Sequence, residues 1–279
     1  MIVSKIATAL TIAGTDPTGG AGIQADLKTF QELKTYGMSV ITSVVAQNTT
    51  GVQDVFHLDE ADIDKQLKSV FDDVPVNAVK TGMIANINMM QVVYRYLKQL
   101  NAPYIIDPVM VATSGDPLIE EDARLFLRDK LFPLATVVTP NIPEAKHITG
   151  MNIKTENDME EAALLIVKKY GAKAALVKGG HLTGEAVDIL YDGEKFYRFT
   201  SQRIHTKNTH GTGCTLSAAI TAFMAQGDSL VDAVGKAKKY ITFAIKHSIS
   251  IGYGSGPTNH WAPRIDEEAN ALLSKGTDV

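Results

Sequence analysis

Residues 210–214 read HGTGC, and Leu216, Ala219, Ile220 and Phe223 follow at the spacing of one helix face. A helix starting here leaves the amides of Gly211, Thr212, Gly213 and Cys214 without partners of their own. Donors clustered at the positive end of a helix dipole suit an anion. Charge developing on a phosphoryl group at that point is stabilised by amides that need not rearrange. Cys214 is the only cysteine in the chain. The same dipole favours a thiolate, so its pKa is expected below the ordinary value of about 8.5. The competing reading is a small buried thiol packing the start of a helix.

A second glycine-rich stretch, AGTDPTGGAGIQAD, spans residues 13–26. Gly14 and Gly19 have the outer spacing of a Walker A loop, but Gly20-Ala21 stands where Lys-Ser/Thr belongs, so that motif is excluded. GTGCTL at 211–216 fails the last position of G-x-G-x-x-G, which counts against a dinucleotide-binding dehydrogenase. Asp16 is a polar side chain inside the glycine turn, and Gly19, Gly20 and Gly22 allow a ligand to approach the backbone closely. A plain tight turn before a helix is the alternative.

These groups need a scaffold. Short β-branched runs alternate with helix-period segments, the pattern of a mostly parallel sheet covered by helices on both faces. The strands are expected in IATALTIAG, SVITSVVAQ, NAVKTG, PYIIDPV, TVVTP and KAALVKG. In GAGIQADLKTFQELKTYG, Ile23, Leu27, Phe30 and Leu33 recur at helical spacing, and Gly37 is expected to end the helix. ENDMEEAALLIVKKYG repeats the design, with acids early, lysines late and Gly171 after the end. AVDILYDGEKFYRFT carries an Asp192-Gly193 turn between extended runs, which predicts a small antiparallel edge. No linker, repeat or low-complexity tract divides residues 1–279, so one domain is expected.

The chain has 279 residues, 45% hydrophobic and 21% charged, with a formal net charge of −4. No basic run with interleaved aromatics appears, which excludes nucleic acid as the obvious partner, and the acidic balance disfavours a membrane surface. A single cysteine cannot form an internal disulfide, so a reducing cytoplasm is expected. The apolar start after Lys5 runs into GTDPTGG instead of a small-residue cleavage site, so it is taken as a buried strand in preference to a signal peptide. No run reaches the ~20 apolar residues of a membrane helix.

TIAGTDPTGGAGIQADLKTF, VKTGM, IDPVM, TPNIPEA, KGGH, NTHGTGCTLSAA and GYGSGPTNHW occur in this order across nearly the whole chain. Together they resemble the hydroxymethylpyrimidine and phosphomethylpyrimidine kinases of thiamine biosynthesis, in the vitamin-kinase branch of the ribokinase-like superfamily. The resemblance implies a ribokinase-like α/β fold and transfer of the ATP γ-phosphoryl to a hydroxymethyl group. It implies that the amides of Gly211, Thr212 and Gly213 form the anion hole. It also places Cys214 where sugar kinases of the superfamily carry an aspartate base, which leaves the proton acceptor open. Little base strength is needed in a loose transition state. A hemithioacetal between Cys214 and an aldehyde such as pyridoxal is a further hypothesis.

Asn141 and Glu144 in PNIPEA, by themselves a helix N-terminus, resemble the family element that organises Mg²⁺ through water, a mode suited to an ion that keeps its hydration. Asp107, left at a sheet end by Pro108, is expected to join the magnesium or a polar network. Lys178 at the end of KAALVKG is expected to meet the ATP phosphates, the alternative being a surface lysine before a turn. His210, like His181, either contacts phosphate or holds a loop. The Gln47 carboxamide can accept from an exocyclic amine and donate to the adjacent ring nitrogen of a 4-aminopyrimidine. Asp16 and Gly14 are placed with it at the substrate, and Met83 is either a wall for the ring or a core residue. The expected activity is phosphorylation of 4-amino-5-hydroxymethyl-2-methylpyrimidine and its monophosphate, with ATP and Mg²⁺. Pyridoxine or pyridoxal kinase is one alternative, and a silent vitamin-precursor-binding protein is another. A homodimer is expected, with the predicted hairpin as an edge for association.

Overall fold

Apolar β-branched runs buried on both sides form the centre of the computed structural model, which describes residues 6–110, 119–180, 182, 184–265, 267 and 271. The strands are Thr8–Ala13 (β1), Tyr36–Ile41 (β2), Ser43–Asn48 (β3), Gly51–His57 (β4), Ala78–Thr81 (β5), Tyr104–Ile106 (β6), Val137–Val138 (β7), Ala175–Lys178 (β8), Ala186–Tyr191 (β9) and Phe196–Ser201 (β10). Eight of them form one sheet in the order β10-β9-β8-β7-β6-β5-β1-β2. The pairs from β8 through β2 are parallel. The hairpin predicted around Asp192-Gly193 is present, with β9 antiparallel to both β8 and β10.

The helices are Gly22–Glu32 (α1), Glu60–Phe71 (α2), Ile87–Leu97 (α3), Glu121–Phe126 (α4), Ile142–Thr149 (α5), Glu156–Lys168 (α6), Thr212–Ala225 (α7), Leu230–Lys246 (α8) and Ala262–Ile265 (α9). Alternate residues of each strand feed two cores. Leu10, Ile12, Val79, Ile106 and Val138 join α2, α3, α5 and α6 on one face. Ala9, Ile105, Val137 and Leu176 join α1, α7 and α8 on the other. β1 runs through α1 to β2 on one side, and the chain then crosses to β5 on β1's other side. That reversal opens a crevice at the carboxyl ends of β1 and β5, the place where open α/β sheets hold ligands.

Two expectations are corrected. SVITSVVAQ is not one strand, because the chain breaks at buried Thr42 and β3 pairs with β4 in a separate antiparallel sheet. Thr42 joins the two parts by bonding Ala13 O through its amide (3.0 Å) and Met83 O through its hydroxyl (2.8 Å). Nor does Gly37 end α1. The left-handed turn residue is Lys34 (φ 59°), while Gly37 lies in β2, where a Cβ would be 2.9 Å from Leu27 and Phe30. That glycine lets helix and strand approach. Gly171 (φ 81°) follows α6 as predicted.

Candidate functional site

The two glycine-rich stretches interlock at this crevice. Asp16, fully buried, organises the first of them. Its Oδ1 accepts the amide and hydroxyl of Thr18 (2.9 and 2.7 Å), and its Oδ2 accepts the amides of Gly20 (3.0 Å) and Ala21 (2.7 Å). His210 Nε2 lies 2.8 Å from the same Oδ2, and the Gln47 side chain reaches this carboxyl as well. Burial alone would raise the Asp16 pKa, but these bonds hold it below the ordinary carboxylate range. Asp16 thus builds the loop, and His210 helps to hold it.

The glycines permit close approach within the protein, Gly22 and Gly211 to backbone and Gly14 and Gly20 to side chains. A Cβ on Gly211 (φ 77°) would fall on Gly20 O, and one on Gly20 would lie 2.7 Å from the His210 ring. A Cβ on Gly22 (φ 56°) would lie 2.5 Å from Gly14 O, which already accepts the Ile23 amide (3.0 Å). A Cβ on Gly14 would collide with Met83 Cε. Gly14 and Met83 are therefore neighbours, and Met83 is buried at 8% exposure.

α7 begins where the sequence predicts. Gly211 is its N-cap, and no side chain caps this terminus. Thr215 makes the first helical bond, to Gly211 O (2.9 Å). The Gly213 and Cys214 amides have no acceptor among the described residues. The Thr212 amide turns back to Thr209 O (3.3 Å), so it is not part of the open set. Polar groups surround this terminus. Lys178 Nζ is 3.1 Å from Asp107 Oδ1, and a Cβ on Gly213 would be 3.3 Å from that nitrogen. Ser217 Oγ donates to Asp107 Oδ2 (3.3 Å). Lys178 is mostly buried between the carboxylates of Asp107 and Glu144, which raise its pKa against the cost of burial.

Cys214 departs from expectation in its ionisation. Burial pushes its pKa up to about 11, outweighing the lowering by Lys80 and by the Gly22 amide, while Asp26 and Asp107 raise it further. Loss of water around a sulfur disfavours the charged form. The group is a thiol at neutral pH, not a thiolate. Iodoacetamide at pH 7.5 is expected to alkylate it at least about a hundredfold more slowly than free cysteine. Comparable rates would contradict the raised pKa. Cys214→Ala is expected to leave the melting temperature nearly unchanged and to lower turnover.

Asn141 and Glu144 cap α5 reciprocally. Asn141 Oδ1 accepts the Glu144 amide (2.9 Å) and Glu144 Oε2 accepts the Asn141 amide (2.8 Å). Burial raises the Glu144 pKa to about 7, with Lys178 pulling it down. Among the described residues no three His, Cys, Asp or Glu side chains form a metal cage. With both capping side chains engaged, these oxygens fit magnesium through its water shell and not by direct ligation.

Gln47 lies near the end of β3 in the small hairpin, not at the end of the second strand of the main sheet. Thr15 fixes that hairpin to the first loop: its amide donates to Ser43 O (2.9 Å) and its hydroxyl accepts the Val45 amide (3.0 Å). The loop from Ile249 to Pro257 closes over the hairpin turn, where Ser255 donates to Thr49 O (3.0 Å) and Gly254 to Thr49 Oγ1 (3.1 Å). His181 lies outside the described residues.

Sequence reasoning missed a buried ion pair beside the thiol. Lys80 Nζ is 2.8 Å from both oxygens of Asp26, and both residues have zero exposure. A signal for it existed: Asp26 sits on the stripe of α1 defined by Ile23 and Phe30, and Lys80 interrupts an apolar strand. A charge on each of two faces bound for the interior predicts a pair. Thr258 and His260 of the C-terminal motif were also missed as supports. His260 Nε2 lies 3.2 Å from Thr215 Oγ1 in the first turn of α7, and burial lowers its pKa to about 4, so it is neutral.

An open, mostly parallel sheet that presents uncapped helix amides and a lysine at its switch-point crevice is the architecture of ribokinase-like phosphotransferases. The phosphomethylpyrimidine kinase family profile matches residues 16–259. A hydroxymethylpyrimidine/phosphomethylpyrimidine kinase of Staphylococcus aureus strain MSSA476 is 50% identical over 278 residues, 99% of this chain and 100% of the relative. Pyridoxal kinase of Bacillus subtilis, solved as an ADP complex, superposes with a TM-score of 0.87 at 43% identity, covering 94% of this chain and 100% of that one. Pyridoxal kinase of Staphylococcus aureus, solved with AMP-PCP and pyridoxal, gives 0.86 at 37% identity, covering 93% and 95%. The chain belongs to the phosphomethylpyrimidine kinase family.

Proposed function

We propose that this protein transfers the γ-phosphoryl of ATP to 4-amino-5-hydroxymethyl-2-methylpyrimidine and then to the resulting monophosphate, as a step of thiamine biosynthesis. Full-length identity of 50% to a hydroxymethylpyrimidine/phosphomethylpyrimidine kinase carries this reading. The ADP and AMP-PCP complexes of the structural relatives support the choice of nucleotide.

The pyrimidine lies in the crevice against Met83, Gly14 and Gln47, with its hydroxymethyl group toward the Cys214 sulfur. The hydroxyl oxygen attacks Pγ, the O–P bond forms as the bond from Pγ to the ADP oxygen breaks, and the hydroxyl proton passes to an oxygen of the transferred phosphoryl group. Negative charge on the equatorial oxygens meets the amides of Gly213 and Cys214 and the Lys178 ammonium. Because Cys214 starts as a thiol, its sulfur orients the hydroxyl, and the proton is lost only as bonding to phosphorus makes it acidic. Asn141, Glu144 and Asp107 would hold Mg²⁺ through its water shell, where the ion would neutralise phosphate charge. Gln47 is braced by Asp16 through one contact and keeps its remaining carboxamide groups for the pyrimidine edge. Gln47→Ala is expected to raise the pyrimidine KM about tenfold or more with little change in the ATP KM. Equal pyrimidine KM values would contradict that placement.

A second reading, pyridoxal kinase, is supported by the structural relatives of that name at 37–43% identity. Coupled ADP release with the pyrimidine, its monophosphate and pyridoxal separates the readings. Turnover on pyridoxal alone would overturn the pyrimidine assignment, and ligand-dependent thermal stabilisation with no turnover would indicate a silent binder. The proposal includes a cytoplasmic site, from the single cysteine, and a homodimer. No helix among the described residues is long and apolar enough to cross a membrane.

A further inference from the structure

Lys80 and Asp26 lie at the floor of the crevice without belonging to the set that meets phosphate or pyrimidine. Asp26 comes from α1 and Lys80 from β5; Thr11 of β1, the register partner of Lys80, donates to Asp26 Oδ2 (2.6 Å). The ammonium points toward the carboxyl end of β5, since a Cβ on Gly82 would be 3.3 Å from its Nζ. It makes two bonds to Asp26, and an ammonium has three donors. α7 packs against α1, β1 and β5, which brings the Cys214 sulfur within electrostatic reach of this pair.

Stability gives little reason for such a pair. Replacing a buried ion pair by neutral groups of similar volume is often harmless or stabilising, because the ions recover at best what they lose in hydration. What a neutral pair lacks is a fixed positive charge beneath the acceptor. The charged groups around the sulfur are Lys80 from β5, Asp26 from α1 and Asp107 after β6. Lys178 of β8 is a further charge whose environment includes the sulfur. The pull of Lys80 on the sulfur exceeds the opposing push of Asp26, so the pair acts there as a net positive end.

We propose that Lys80, held by an Asp26 that Thr11 fixes in turn, is a positioning residue for phosphoryl transfer: from below the crevice it balances the negative charge that gathers at the acceptor oxygen beside the Cys214 sulfur. This inference rests on the kinase reading, and the wild-type enzyme is assayed first, so failure of that reading shows separately as absent turnover.

Two neutral replacements of the pair, Asp26→Asn with Lys80→Met and Asp26→Asn with Lys80→Gln, are compared with wild type by melting temperature and steady-state ADP release at saturating pyrimidine and Mg-ATP. The expected result is a kcat lower by about tenfold or more, both KM values within about threefold of wild type, and a melting temperature equal or higher. A wild-type kcat in a folded variant would overturn the proposal. So would a loss confined to KM, or failure of both double variants to fold, since either outcome makes the pair a structural pin.

Discussion

Gly211→Ala is expected to lose at least about a hundredfold in turnover and to melt roughly 5–10 °C lower than wild type. Both effects share one cause. Gly211 has φ 77°, a conformation that is strained for alanine by roughly 1–2 kcal/mol. The added methyl would also fall on Gly20 O, a backbone atom fixed by the Asp16 network, so it cannot move aside like the end of a flexible side chain. Relief requires the two glycine loops to separate, for a total of about 3 kcal/mol. Separation withdraws the Gly22 amide from the Cys214 sulfur and displaces the α7 terminus relative to β1. Wild-type kcat together with a lower melting temperature would show that the loop contact is structural only. Gly213→Ala is the informative neighbour, because the nearest atoms to its Cβ would be Lys178 Nζ (3.3 Å) and the Asp107 carboxylate oxygens (3.5 and 3.9 Å), so a loss there comes from crowding that ion pair.

Lys178→Met should lower kcat by about 10²–10³-fold, the range seen when one fixed donor to a developing charge is removed. It should also destabilise, since Asp107 loses the ammonium 3.1 Å away and Glu144 loses its nearest positive charge. Breaking one side of a buried pair costs about 3–5 kcal/mol. Lys178→Met combined with Asp107→Asn removes the stranded charge and should recover much of the stability without recovering the rate. Calorimetry and ADP release read the two effects separately. A double variant regaining both would mean that Lys178 serves only to neutralise Asp107. The sign of the accompanying pH effect follows from Glu144. Its folded pKa, about 7, lies above the ordinary 4.5, so the stability it contributes is complete below about 4.5 and is lost progressively as pH rises to about 7. Removing Lys178 raises that pKa further and extends the loss to higher pH.

Much of this site was legible because its signals are local. The glycines of HGTGC, the apolar stripe after them and the strand-end positions of Asp107 and Lys178 all follow from short-range pattern. The split of SVITSVVAQ was not legible, because Thr42 continues a β-branched run with no glycine or proline to punctuate it. What turns the chain there is tertiary: the bonds of Thr42 to Ala13 and Met83, some 30 and 40 residues away. The same distance hid the Asp16–His210 contact, which joins residues 194 apart. Cys214 was placed correctly and its ionisation inverted, because a helix terminus is visible in sequence whereas the burial of one sulfur depends on α1, β5 and the loop at Gly22 together.

A crystal structure with a non-hydrolysable ATP analogue and the hydroxymethylpyrimidine tests the central claim most directly. The terminal phosphate is expected within hydrogen-bond distance of the Gly213 and Cys214 amides and of Lys178 Nζ, with the hydroxymethyl oxygen on its far side beside the sulfur. A terminal phosphate bound elsewhere, with those amides turned to solvent or to another part of the chain, would contradict the account.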